Sequence, residues 1–402
     1  MPVGSCRVPF SELARRLEAV QSGLRAEGIT AALVVQNVDL FYLTGSIQEG
    51  HLLVPAVGEP LYLVRRDVAR ARAESSLQRV EALESLRRLP AVLAREGVDL
   101  EGTLGLELDV LPVNVFRRYE ALFPGMRLVD CSGVIRLVRS VKSAFELDVL
   151  RRCAAQAEVV MREASAVLRE GMTEIELSAH LEAVARRSGH QGIVRFRAFG
   201  QEMLLVHAFA GEDAAVGSYM DAPLGGRGLT PAVAQGAGRR HIGRHEPVVV
   251  DFAGAVDGYL VDQTRVLSLG PLPRELADAH EACLRIQDAV VARVRPGAVC
   301  GDLYAAAVEQ AEVMGYGDHF MGARPNQVGF IGHGVGLEID EPPYLARGAR
   351  GVLVEGNVFA LEPKLVFPGW GAVGVENTWV VTASGAERIT LGCDHVWESP
   401  AD

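Results

Sequence analysis

Apolar residues return at helical spacing from Ser11 to Ala26, where Leu13, Leu17, Val20 and Leu24 share one face and Gly28 follows as a stop. Apolar runs then take over. Ile29 to Val35, Leu52 to Val57 and Leu61 to Val64 predict strands, with Gly58-Glu59-Pro60 turning the chain between the last two. Helical character resumes over Ala69 to Glu96, with a break expected near Pro90, and Leu104 to Leu108 is another short apolar run. Together these predict a small α/β domain ending near Asp130-Cys131, followed by a linker over Arg139 to Ser143. Ser143 with Glu146, and Thr173 with Glu176, have capping-box spacing, so a long helix reaching Gly171 and a second stopping at Gly189 are expected.

The chain then echoes itself. LREGMTEIELSAHLEAVARRSG ends at Gly189 and VRPGAVCGDLYAAAVEQAEVMG ends at Gly315. Superposed, they pair Arg169 with Arg295, Gly171 with Gly297, Leu177 with Leu303, Ala185 with Ala311 and Gly189 with Gly315. Either one helix-pair-plus-sheet unit is used twice, or two helix hairpins resemble each other by chance. Gly200 to Gly238 is rich in Gly, Ala and Pro without clear periodicity, and reads as a long functional or mobile loop.

Charged residues interrupt the later strands. Val248-Val249-Val250 runs into Asp251, and Asp262 follows eleven positions on; a turn at Asp257-Gly258 brings the two carboxylates toward one point. Three alternate glycines surround His333 in Gly332-His333-Gly334-Val335-Gly336 and allow close approach. Glu362 ends the run Val358 to Leu361, and Glu376 follows Val373-Gly374-Val375. Any one of the five read alone is more often structural. Four acids and one imidazole on apolar strands are costly to bury unless they are matched, and a metal cage matches them. Oxygen-rich ligation with one imidazole favours Mn²⁺, with Co²⁺, Zn²⁺ or Fe²⁺ as alternatives. GHGVG lacks both G-x-G-x-x-G and the phosphate-loop lysine, so a nucleotide loop is discounted.

The composition narrows the class. At 402 residues, with 49% hydrophobic and 23% charged positions, the chain reads as a two-domain soluble protein. No window reaches the roughly 20 apolar residues of a membrane helix. Met1 to Arg7 carries no apolar signal stretch, and six scattered cysteines without a CxxC pair suit reduced thiols in the cytoplasm. A net charge of -11 argues against nucleic acid as a partner.

VVVDFAGAVDGYLVDQTR, GHGVGLEIDEPP, VFALEPKLVFPG and VGVENTWVVT resemble the motif segments of the M24 family of methionine aminopeptidases, Xaa-Pro aminopeptidases, prolidases and creatinase. VVQNVDLFYLTGS is similar to the start of a creatinase-type N-terminal domain, and RSVKSAFELDVLRRCAAQAE to the linker and first catalytic helix. The resemblance implies an α/β architecture in two domains. Residues 1–138 would form the creatinase-like N-terminal α/β domain. Residues 139–402 would form the α+β pita-bread catalytic domain, with its pseudo-twofold internal repeat. It implies two divalent ions. Asp251 would chelate one, Asp262 and Glu376 would bridge both, and His333 and Glu362 would hold the second. A metal-bridging hydroxide would attack an amide carbonyl, and Glu362 would take the proton of the attacking water. A homodimer is also implied.

Three positions depart from the peptidase pattern: Asp340 and Ala234 stand where the family carries histidines, and Gly374 where many prolidase-like members carry Arg. An Asp accepts hydrogen bonds unless its pKa is raised, so Asp340 is a catalytic candidate of different character. His207 either supplies the missing imidazole from the long loop or has no role there. Tyr259 either reaches substrate through its hydroxyl or packs on the sheet, and Glu341 is a second substrate-binding candidate. The leading expectation is a metallohydrolase of the Xaa-Pro dipeptidase or aminopeptidase kind, acting on a small peptide or small amide. The alternatives are an enzyme acting on a small non-peptide metabolite and a non-catalytic binding protein.

Overall fold

The computed structural model describes residues 7–399, and the reading of the first residues, Cys6 included, lies outside them. The chain divides into two compact units, one through Arg139 and one from Ser140 onward. The first unit runs α1 (Phe10–Ala26), β1 (Ala31–Val34), α2 (Asn37–Thr44), β2 (Gly50–Pro55), β3 (Leu61–Val64), α3 (Val68–Glu74), β4 (Val80–Ala82), α4 (Leu89–Arg95), β5 (Thr103–Leu106), α5 (Val113–Leu122), β6 (Arg127–Asp130) and α6 (Ser132–Ser140). Its mixed sheet has the order β4-β3-β2-β1-β5-β6. Leu13, Leu17, Val20 and Leu24, the apolar face of α1, are all buried. The helical stretch expected over Ala69 to Glu96, with its break near Pro90, is instead α3, the strand β4, a short 3₁₀ turn and α4. Val80 pairs into the sheet beside Tyr62, and Pro90 sits in the first turn of α4, where its missing N–H removes no hydrogen bond.

The second unit runs α7 (Ala144–Val167), α8 (Glu174–Arg187), β7 (Val206–Ala210), β8 (Val248–Val256), β9 (Tyr259–Leu269), α9 (Arg274–Val291), α10 (Cys300–Val313), β10 (Phe330–Gly334), β11 (Glu341–Ala346), β12 (Val358–Leu361), β13 (Lys364–Phe367), β14 (Gly371–Gly374), β15 (Asn377–Thr382), β16 (Gly385–Arg388) and β17 (Trp397–Ser399). One sheet has the order β17-β9-β8-β7, a second β11-β10-β12-β15-β16, and β13-β14 forms a hairpin. The apolar faces of α9 and α10 bury Leu276, Ile286, Val290, Leu303 and Ala307 in a core shared with Ile331, Phe359 and Leu361. Among the described residues no helix is long and apolar enough to cross a membrane.

Both capping boxes form at the expected residues, although α7 ends at Val167, short of Gly171. Glu146 also accepts the Tyr259 hydroxyl at 3.1 Å, so one cap residue ties α7 to the start of β9. The segment read as a linker is stitched into the second unit, with Val141 bridged to Asn357 and the Lys142 N–H donating to the Gly356 carbonyl.

The echo is a structural repeat. α7-α8 precedes β7 to β9, and α9-α10 precedes β10 to β12. Gly171 and Gly297 take left-handed φ values of 79° and 89°, and their N–H groups donate to the carbonyls of Ile242 and Leu353. Two residues on, Thr173 bridges to His241 and Val299 to Val352. The stretch from Gly200 to Gly238 is no free loop. It contains β7, and the buried Glu174 carboxylate accepts the N–H groups of Ala210 and Gly238, both at 2.7 Å. A Cβ at Gly171 or Gly297 would meet nothing within 4 Å, so only the backbone conformation disfavours a side chain there. Gly171→Ala and Gly297→Ala should therefore each lose about 1–2 kcal/mol, read as equal shifts in urea midpoint. Unequal shifts would mean that the two turns are not equivalent.

Candidate functional site

The β8-β9 hairpin sets the first half of the site. Val256 pairs with Tyr259 across a two-residue turn in which Asp257 and Gly258 have φ of 48° and 89°, the left-handed pair that suits strand twist. That register places Asp251 opposite Thr264 and Asp262 opposite Ala253. Side chains alternate along a strand, so Asp251, Asp262 and Thr264 share one face. His207 lies opposite Asp251 on β7 and joins them.

The second sheet supplies the rest. His333 on β10 is opposite Ala360 on β12, and Ala360 is opposite Thr378 on β15. Glu362 and Glu376 continue that pairing just beyond the strand ends. The glycines around His333 admit neighbouring backbone: a Cβ at Gly332 would lie 2.3 Å from the Ala360 carbonyl oxygen, and one at Gly334 would lie 2.3 Å from that of Glu341. Two hydroxyls lock the sheets together. Thr264 donates to Glu376 Oε2 at 2.7 Å, and Thr378 donates to the Asp262 carbonyl at 2.9 Å.

Asp251, Asp262, His333, Glu362 and Glu376 thus converge, and a sixth group stands among them. Lys364 opens β13, is buried, and places Nζ 2.6 Å from Glu362 Oε2, 2.9 Å from Glu376 Oε2 and 3.9 Å from Asp251 Oδ2. On the other side, His333 Nε2 is 3.5 Å from Glu362 Oε1, 3.9 Å from Glu376 Oε1 and 4.0 Å from Asp262 Oδ2. Burial pushes Glu362 up to about 7 and Asp251 up to about 6, against the pull of Lys364. Burial, with Glu376 and Asp251 nearby, holds Asp262 well above the usual carboxylate range. Glu376 alone is lowered, because Lys364 and His333 outweigh its burial. The carboxylates hold Lys364 well above its ordinary value despite burial, and Glu362, Asp340 and Glu376 likewise raise His333.

The residues present fit a metal ion. Ligand atoms of Asp262, His333 and Glu376 all lie within 4.8 Å of one another, and Asp251 Oδ1 is buried without a hydrogen-bond partner. These acids form the floor of a cavity of about 400 Å³ walled by Phe196, Met203, Met220, Phe330, Ile339 and Tyr344. Asp340 lines it as well.

His207 also lines this cavity, from strand β7 and not from a mobile loop. Burial, with Lys364 nearby, lowers its pKa to about 4, so it is a neutral imidazole. Its Nε2 lies 3.0 Å from Gln235 Nε2, so the polar group beside the site is Gln235, one position past Ala234. Two expected substrate-binding residues lie elsewhere. Tyr259 is three positions before Asp262 and so on the opposite face of β9, where it meets Glu146. Glu341 is buried and ion-paired with the Lys142 ammonium. Lys364 went unread because its spacing from Glu362 says nothing of where a four-carbon stem ends.

Residues 148–383 match the model of metallopeptidase family M24, and residues 16–141 that of the creatinase/prolidase N-terminal domain. The chain is 30% identical to the probable dipeptidase PepE of Mycobacterium bovis, covering 98% of each chain. It is 25% identical to the Xaa-Pro dipeptidase of Pyrococcus furiosus, covering 93% of this chain and 97% of that one. The crystal structure of dipeptidase PepE from Mycobacterium ulcerans superposes with a TM-score of 0.80 at 27% identity, covering 98% of this chain and all of that one. The fold is accordingly a creatinase-type N-terminal domain followed by a pita-bread domain. With four acids and a histidine gathered on the floor of one cavity and the family model matching residues 148–383, this chain belongs to metallopeptidase family M24 and is an enzyme of that family.

Proposed function

We propose that this chain hydrolyses an amide C–N bond in a small peptide, with a dipeptide of the Xaa-Pro kind as the first candidate. The convergence of Asp251, Asp262, His333, Glu362 and Glu376 at the floor of one cavity carries this reading. The dipeptidase names of similar proteins support the substrate class. The oxygen-rich donor set with one imidazole supports Mn²⁺ as the metal, the scattered cysteines without a CxxC pair support the cytoplasm, and the family resemblance supports a homodimer.

Asp251, Asp262, His333, Glu362 and Glu376 would hold divalent metal, which would polarise the scissile carbonyl and acidify water. The protein's own groups do the rest. Glu362, on the floor of the cavity, is placed to take a proton from the attacking water and return it to the departing nitrogen. His207, neutral at working pH, acts as an uncharged hydrogen-bonding group toward the carbonyl oxygen and not as an imidazolium acid. Asp340 accepts hydrogen bonds from the substrate, and the aromatic and methionine walls exclude water. Asp340 and Ala234 stand where the peptidase pattern has imidazoles, and Asp340 and Gln235 line the cavity, which favours a second reading: a small non-peptide amide. Turnover of Xaa-Pro dipeptides, longer Xaa-Pro peptides and small amides, compared as kcat/KM, separates the two. Activity indifferent to verified metal removal would defeat both.

Protons compete with metal at this site, because Glu362 and Asp251 must ionise and His333 must be neutral to ligate. Their folded pKa values are all raised, so the metal-free protein favours the protonated cage, and affinity rises with pH as those protons leave. The gain in Tm on adding Mn²⁺ should therefore grow between pH 5.5 and pH 8. A gain that shrinks over this range would contradict the assignment. His207→Ala should lower kcat by on the order of 10²-fold if its imidazole meets the developing oxyanion, with metal content unchanged. An unchanged kcat would leave His207 a packing residue against Phe209.

A further inference from the structure

The cage already contains a cation. Glu362 and Glu376 each divide their oxygens between two positions: Oε1 of both faces His333, and Oε2 of both faces the Lys364 ammonium. Asp262 Oδ2 completes the His333 side, and Asp251 Oδ2 lies 3.9 Å from Nζ on the other. These are two adjacent cation positions, and a lysine side chain fills one of them.

The placement is built in. Lys364 pairs with Gly374 across the β13-β14 hairpin. A Cβ at Gly374 would lie 2.6 Å from Lys364 Cγ and 2.7 Å from the Pro363 carbonyl oxygen. Gly374 therefore leaves open the space through which the lysine stem reaches the acids. The residue that departs from the prolidase-like pattern at 374 and the ammonium among the carboxylates are two parts of one arrangement. Charge agrees: an ammonium and a second divalent ion would compete for the same Oε2 atoms of Glu362 and Glu376.

We propose that Lys364 is the resident second cation of this centre, so that each chain binds one divalent ion, on Asp262, His333, Glu362 and Glu376, rather than two. Asp251, relieved of a second ion, keeps its unpartnered Oδ1 at the cavity for a hydrogen-bond donor of the substrate. The inference rests on the metal reading above, and ion counting tells the two apart. Full-length protein is dialysed against Mn²⁺, and bound metal is measured by elemental analysis and by titration calorimetry. One ion per chain supports the proposal. Two ions per chain overturn it and leave the metal reading intact, whereas none overturns both. Lys364→Met removes the charge and keeps most of the stem, and Lys364→Gln keeps a polar end. Each should raise the count from one ion to two, and a folded variant that still binds one ion overturns the proposal. Should neither variant fold, the parent still decides. Its Mn²⁺ should give the electron paramagnetic resonance spectrum of an isolated ion, and an exchange-coupled pair would sink the idea.

Discussion

Four carboxylates buried at one point cannot all stay ionised without positive charge among them. Asp251, Asp262, Glu362 and Glu376 are in that position, and every other feature of the site answers to it. Burial and the neighbouring Glu376 and Asp251 push Asp262 toward its protonated form, against the pull of Lys364. Where Lys364 and His333 face the same group, Glu376 stays ionised. The divided orientation of Glu362 and Glu376 sets one oxygen of each toward the Lys364 ammonium and the other toward the His333 imidazole.

Holding such a cluster together requires a scaffold that does not yield to its repulsion. The two sheets of the catalytic unit are joined at the acids themselves, by Thr264 on Glu376 and by Thr378 on the Asp262 backbone. Arg265, on the opposite face of β9, donates to the carbonyls of Thr264 and Glu376 and ties the same junction from behind. The first helix pair closes its own half: Glu146 holds the β9 end, and Glu174 pins both β7 and Gly238. The cavity therefore sits on rigid strands, and its apolar walls sharpen the electrostatics beneath them.

Much of this was legible along the chain. Asp251, Asp262, His333, Glu362 and Glu376 stood out because charges at the ends of apolar strands need a partner, and strand periodicity plus the Asp257-Gly258 turn put them on one side. The capping boxes declared α7 and α8 and the paired glycines declared the repeat, since a left-handed φ or an N-cap is a local requirement that a residue type reveals. The same alternation could have placed Tyr259 on the far face of β9 from Asp262. The strand in the Gly-rich stretch and the strand β4 were hidden because their stability comes from pairing with β8 and β3, not from their own composition.

The sequence by itself determined the family, the two-domain plan, the repeat and the acids of the cage, because each depends on local pattern or on motif residues in order. Only the tertiary structure decided which side chains share the cavity. Glu341 is claimed by Lys142, which lies 199 positions away in the chain. His207 is neutral because the fold buries it near Lys364. The Lys364 ammonium stands among the carboxylates because the β13-β14 register sets its stem against Gly374. Distances between side-chain tips depend on how strands from different parts of the chain pack, and no spacing along the sequence encodes them.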